Sequence, residues 1–437
     1  MPRFTVAIDL PFPRERVWAW HASPGALERL IPPFSGVRIV RPAPSLADGT
    51  EVELSVPAGP LRVRWLARHR DVVPGHSFID DEIHGPFPAW SHRHELTDLT
   101  TGCRLTDTVD YQAPPLTGCL VRKQLTSTFA WRHARTREDL ARLAAWPQTP
   151  LRIALSGASG LLGTALAGFL RSAGHTVLPL VRRNGAGIAW NPTTGVIDAA
   201  LLRSCDAVIH LAGANIGQRW TPAVKAEILT SRTAGTGLLA RTLGEDPGKV
   251  RAFVCASGAG RYGDTGDTCA DLNSADGSTF LAEVVNAWEA AADPARKAVR
   301  TVHLRLGVVL AADGGALGQM LPPFRAGAGG PIGSGKQWLS WISRDDAVYL
   351  FHRAMVDAAM RGPVHAVAGA CRQADFAKTL GAHLHRPAFM PLPAFAVRTL
   401  FGAMGEECLL GSSRVTVTPD HRFAQATLAE VFQSELG

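Results

Sequence analysis

Three glycines at three-residue spacing, Gly157, Gly160 and Gly163 in "LSGASGLLG", form the arrangement in this 437-residue chain that most directly implies chemistry. They follow the apolar run "LRIAL" and open a helical pattern. In that setting the first glycine permits a tight turn and the second lets backbone approach a pyrophosphate, while the third lets helix and strand pack closely. The helix N-terminus adds N–H donors and its dipole. A dinucleotide held there is expected to touch Gly157, Ser159, Gly160, Leu161, Leu162 and Gly163. After the later run "AVIHLAG" it is expected to pass Leu211, Ala212 and Gly213. Where a carboxylate would bind the ribose hydroxyls, the chain has Arg182 and Arg183 in "LVRRNG". Two guanidiniums can hold a 2′-phosphate that a carboxylate would repel, so the expected cofactor is NADP; the competing reading is a solvated turn.

These residues need a parallel sheet to position them. The runs "LRIAL", "TVLPLV", "AVIHLAG", "AFVCAS" and "TVHLRLGVVL" alternate with helical stretches, the pattern of strands wound by crossover helices. Residues 151–310 are therefore expected to form a Rossmann-like α/β domain, and residues 311–437, rich in Gly and Pro loops, a C-terminal substrate lobe.

Residues 1–147 read differently. A strand, a helix-like segment, then "GVRIV", "TEVELSV", "LRVRWLARHRDV", "HSFIDDEI", "SHRHELTDL" and "CRLTDTVDY" alternate between turn signals. A long helix follows, with Val121, Leu125, Phe129, His133, Thr136, Leu140 and Leu143 on one stripe. Trp90, His92 and His94 share one sheet face. A His-x-His pair can bind a metal, but no third ligand is evident, and no metal is assigned. His133 reads either as a hydrogen-bonded core residue or as a contact to a cavity ligand. The order of elements resembles the α+β helix-grip domains of the polyketide-cyclase and START-like superfamily. That resemblance implies a cavity for an apolar ligand; the alternative is a filled core.

The second half resembles the extended short-chain dehydrogenase/reductases and, more narrowly, atypical epimerase-family proteins described as nucleoside-diphosphate-sugar epimerases or cell-division inhibitors. The stretches carrying it are "GQRWTPAVKAEILTSRTAGT", "ASGAGRYG", "TFLAEVVNAWEAA", "LRLGVVLAADGGALGQMLPPF" and "GGPIGSGKQWLSWISRDDAV". It implies an oxidoreductase or epimerase-like enzyme that binds NADP(H). Active reductases of that superfamily pair a Ser or Thr with a Tyr whose pKa is lowered by a Lys four residues on. The three tyrosines here, Tyr111, Tyr262 and Tyr349, are followed at that distance by Pro115, Gly266 and Arg353. The helix positions that would carry the pair hold Leu281 and Val285. Ser257, after a strand, and Tyr262 in the same loop are the remaining catalytic candidates. Arg261, where the family commonly has a second tyrosine, is a candidate to stabilise the Tyr262 phenolate and touch substrate. Trp341 and Ser343 are further substrate candidates, Ser343 standing where a His is common. Asp345 and Asp346 either line the site or cap a helix, and Glu283 points into the cleft or to solvent. With the catalytic pair missing, a non-catalytic NADP(H)-binding sensor stands as the alternative.

Composition narrows the classes further. No apolar run approaches the roughly 18 residues of a membrane span, and the opening "MPRFTVAIDLPFP" lacks the regions of a signal peptide, so a cytoplasmic location is expected. Seven cysteines without a C-x-x-C pair point to reduced thiols. A net charge of +7 is spread among acids rather than concentrated in runs, so nucleic acid is not an expected partner.

Overall fold

A computed structural model describes every residue except 114–116, 148 and 183–184. The chain divides into two compact units, Met1–Pro150 with Gly168–His175 and Leu436–Gly437, and Leu151–Ala167 with Thr176–Glu435.

In the first unit the alternating segments become strands β1 (Arg3–Leu10), β2 (Arg38–Arg41), β3 (Glu51–Ala58), β4 (Leu61–Val73), β5 (Ser77–His84), β6 (Ala89–Asp98) and β7 (Cys103–Gln112). Two short helices, α1 (Arg14–His21) and α2 (Ala26–Leu30), follow β1, and α3 (Gly118–Ala145) follows β7. β2 to β7 form an antiparallel meander, and β1 closes the order by pairing with β7. The period-2 pattern is plain in β7, where Cys103, Leu105, Asp107, Val109 and Tyr111 are all buried. Leu125, Phe129, His133, Thr136 and Leu140 of α3 are buried too, so the helix lays its expected stripe on this unit's core. Each such apolar side chain contributes about 1.5–3 kcal/mol when fully buried.

The second unit is built on a parallel sheet, as the continuous apolar runs require. Its elements begin β8 (Arg152–Ser156), α4 (Leu161–Ser172), β9 (Thr176–Val181), β10 (Ile188–Asn191), β11 (Val196–Ile197), α5 (Ala199–Arg203), β12 (Ala207–His210) and α6 (Pro222–Glu245). They continue with β13 (Ala252–Gly258), α7 (Phe280–Ala290), β14 (Arg300–Leu306), β15 (Val308–Leu310), α8 (Gly315–Arg325), β16 (Trp338–Ser343), α9 (Arg344–Val356), β17 (Gly362–Ala366) and β18 (Gly369–Arg372). Side chains set where helices start: Asp198, Thr221 and Thr279 accept from the backbone N–H three residues on. The sheet order is β11-β10-β9-β8-β12-β13-β14-β17, so the chain reverses direction across the sheet between β8 and β12.

Residues 311–437, the expected C-terminal substrate lobe, also contribute to the main sheet. β17 pairs in parallel with β14 at the edge of the sheet, where "GPVHA" buries its last two residues. β15-β16-β18 form a small second sheet, and further helices follow up to Leu436.

Candidate cofactor and active site

The reversal between β8 and β12 opens a crevice at the carboxyl ends of the strands, the place where such sheets bind ligands. Gly157 leaves β8 with φ of +68°, and a Cβ there would lie 3.0 Å from both Ala212 N and Leu211 C. Gly160 N–H donates to Gly157 O over 3.0 Å and closes the turn. At Gly163 a Cβ would sit 2.0 Å from Gly157 O, so only glycine lets α4 start this close to the loop. Ser159 and Gly160 are exposed, Leu161 and Leu162 half-buried. Ser156 ties the two loops together: its hydroxyl accepts from Leu211 N and Ala212 N at 3.0 and 3.2 Å and donates to His210 Nδ1 at 2.6 Å. Burial holds the His210 imidazole down to about 3, so it is neutral and accepts that proton.

Arg182 is exposed immediately beyond β9, and Arg183 lies outside the described residues. Sequence reasoning missed Arg232, on α6. Its guanidinium lies 3.0 Å from where a Gly213 Cβ would stand and donates to Ala214 O and Ile228 O. Burial lowers its pKa to about 10, and no carboxylate pairs with it among the described residues. Its only sequence signal was a lone Arg in "TSRTAGT".

The expected catalytic residues do come together, but with their hydroxyls turned into a buried network. Ser257, near the end of β13, donates to Glu289 Oε1 at 2.6 Å. Arg305 of β14 grips the same carboxylate through Nε and Nη2, each 2.8 Å away. Its Nη1 donates to the Tyr262 oxygen at 2.7 Å. That leaves the Tyr262 proton for His365 Nε2, also at 2.7 Å, and His365 Nδ1–H for Thr416 Oγ1 at 2.8 Å. Burial pushes His365 down to about 4, which keeps it neutral in this role. Burial also raises the Tyr262 phenol against the opposing pull of Arg305, the reverse of what a proton-transferring tyrosine needs. Burial alone would raise Glu289 as well, but hydrogen bonds from Arg305 and Ser257 bring it below the ordinary carboxyl value.

Several expectations change. Arg261 does not reach the Tyr262 oxygen as a phenolate partner; it spans Asp276, at 2.7 Å, and Glu289, at 3.3 Å, because two carboxylates outcompete a neutral phenol. Arg305 takes that place. Ser343 is not turned to a substrate: it caps α9, accepting from Asp346 N at 3.0 Å and donating to Asp346 Oδ2 at 2.7 Å. The Asp346 carboxylate also receives Ala424 N and Gln425 N. Trp341 is buried, its ring against Gly369, where a Cβ would come within 2.8 Å. Glu283 is exposed on α7. Leu281 and Val285 face the loop after β13, within 3.3 Å and 3.5 Å of Cβ positions at Gly260 and Gly258, so apolar groups stand beside the loop that carries Tyr262. Glu289, Arg305 and His365 were missed because each is ordinary in sequence and acquires a role only through strands 16 to 103 residues away.

Comparison with known proteins places this arrangement. The NAD dependent epimerase/dehydratase family matches residues 153–369, and the polyketide cyclase/dehydrase and lipid transport family matches residues 10–133. The epimerase family protein Mb2239 of Mycobacterium bovis is 40% identical over 268 residues, covering 60% of this chain and 88% of that protein. The human epimerase family protein SDR39U1 is 37% identical over 289 residues, covering 65% and 95%. Among solved structures, the nucleoside-diphosphate sugar epimerase from Corynebacterium glutamicum is 32% identical with a TM-score of 0.82, covering 99% of this chain and 90% of that one. Human SDR39U1 isoform 2, solved with NADPH, is 34% identical with a TM-score of 0.58, covering 65% and 99%. The chain belongs to the NAD-dependent epimerase/dehydratase family, as an atypical short-chain dehydrogenase/reductase with a polyketide-cyclase-type helix-grip domain at its N-terminal end.

Proposed function

We propose that this chain binds NADP(H) at the β8/β12 crevice and is an oxidoreductase or epimerase-like enzyme for a carbonyl or sugar-nucleotide substrate. The observation that carries the cofactor assignment is the glycine cradle flanked by cations: Arg182 beyond β9, and beneath Gly213 the half-buried Arg232, which pairs with no carboxylate among the described residues. A partly buried cation with no carboxylate partner is stabilised when an anion meets it, and a nucleotide phosphate is such an anion. The NADPH bound by the human relative supports the same choice. When bound, the dinucleotide supplies hydride chemistry; the chain's part is to hold it and to brace the loop after β13.

Ser257 and Tyr262 act in this reading as positioning residues, since both hydroxyl protons are engaged inward. That engagement also favours a second reading, a non-catalytic NADP(H)-binding sensor. Calorimetry with NADPH and NADH, followed by NADPH oxidation across a panel of carbonyl compounds and sugar nucleotides, separates the two. Tight NADPH binding with turnover upholds the enzyme, tight binding with none leaves the sensor, and no binding overturns both.

A further inference from the structure

The first unit contains an unusual interior. His69 of β4, Asp80 of β5, His92 and His94 of β6, Asp107 of β7 and His133 of α3 converge, with Asp80 half-buried and the others buried. Register explains the convergence: Asp80 stands opposite both His69 and His92, and His94 opposite Asp107. Strand periodicity then turns His92 and His94 to the same face.

One donor atom each from Asp80, His92 and His94 lies within 4.8 Å of the others. Asp80 Oδ2 and His94 Nε2 are 3.4 Å apart. That is long for a charge-assisted hydrogen bond but equals the edge, about 3.4 Å, of a tetrahedron whose metal bonds are about 2.1 Å. The remaining atoms of these side chains are held from behind. Asp107 Oδ1 lies 2.9 Å from His92 Nε2 and 2.9 Å from His94 Nδ1, while Asp107 Oδ2 takes His133 Nε2 at 2.7 Å. His69 Nδ1 bonds Asp80 Oδ1 and leaves Oδ2 exposed to the cluster. A carboxylate behind each ligating imidazole is the arrangement that fixes its tautomer and raises its basicity. Two carboxylates in one interior require compensating positive charge, part of which the Arg132 guanidinium of α3 supplies.

We propose that Asp80, His92 and His94 bind a divalent first-row transition-metal ion of the zinc type, with Asp107 and His69 as positioning residues. Two imidazoles and a carboxylate are a borderline donor set suited to such ions rather than to calcium or magnesium. Three protein ligands leave a fourth position for water or for the oxygen of a ligand. The site belongs to a different unit from the dinucleotide cradle, so its test is independent of that assignment.

The full chain, freed of metal with a chelator, is titrated with Zn²⁺ and with Co²⁺. The expected result is one ion per chain by elemental analysis, a raised melting temperature, and a Co²⁺ visible spectrum of the intense, low-symmetry four- or five-coordinate kind. His94→Gln and Asp80→Asn should weaken Zn²⁺ by at least tenfold, and Asp107→Asn by about tenfold to a hundredfold, each with an unchanged far-ultraviolet dichroism spectrum. Wild-type protein that takes up no ion, an ion giving only the pale spectrum of six-coordinate Co²⁺, or unaltered stoichiometry in a folded His92→Gln/His94→Gln variant would overturn the proposal. The wild-type titration decides even where a variant fails to fold.

Discussion

Glu289 of α7 and Arg305 of β14 meet as a two-point fork, both N–H···O distances 2.8 Å, in the interior behind the loop that carries Tyr262. Each is almost fully buried, so neither charge has water to fall back on. Breaking one side of such a pair strands the other, at a cost of about 3–5 kcal/mol. Glu289→Ala is therefore expected to lower the unfolding free energy from urea titration by that amount; a loss under 1 kcal/mol would show that the fork is not supporting the fold.

Tyr262→Phe removes the link between Arg305 and His365. Arg305 keeps its carboxylate, but His365 Nε2 becomes a buried acceptor without a donor, costing about 1–3 kcal/mol. The expected phenotype is a lower melting temperature with unchanged NADPH affinity. If turnover instead fell by about a hundredfold or more at unchanged stability, Tyr262 would be restored as the proton donor.

Arg182→Ala tests cofactor choice. Losing a charge-assisted hydrogen bond to a phosphate costs about 1.5–3 kcal/mol, so NADPH should bind about tenfold to a hundredfold more weakly while NADH changes little. Equal weakening of both cofactors in calorimetry would place Arg182 away from the 2′-phosphate.

Glu435 supplies a pH dependence. Burial raises its carboxyl to about 7, against the attraction of Arg344 at 3.2 Å. Because the folded value lies above the ordinary 4.5, the contribution to stability is fully present below pH 4.5 and is lost as pH rises through 7. Melting temperature followed from pH 4.5 to 8 should fall in that window, and Glu435→Gln should flatten the fall; an unflattened curve would assign the dependence elsewhere.

What could be read in the residues was what local pattern encodes. The glycine spacing, the apolar runs and the alternating N-terminal segments each became the expected element, because turn chemistry and strand period act over a few residues. The partners of Ser257 and Tyr262 could not be read, since Glu289, Arg305 and His365 reach them only through sheet order. Ser343 misled for a related reason: a serine ahead of a helix serves as well for a cap as for a substrate contact, and Asp346 decided the matter. The third member of the proposed metal site could not be read beside His92 and His94, because only cross-strand register brings Asp80 opposite His92.

The segment around Thr416 has a consequence for how this protein is made. Thr416 closes the chain of bonds that runs through His365 and Tyr262, and Thr418 Oγ1 donates to His365 O at 2.6 Å. The glycine turn, by contrast, is complete once Ala212 has been synthesised, since the bonds of Ser156 lie within 151–212. During translation the cradle can form well before the Tyr262 network, which must wait for more than 200 further residues to leave the ribosome. Nascent chains halted between these two points would thus hold every partner of the Ser156 bonds at the glycine turn but lack the Thr416 end of the Tyr262 network.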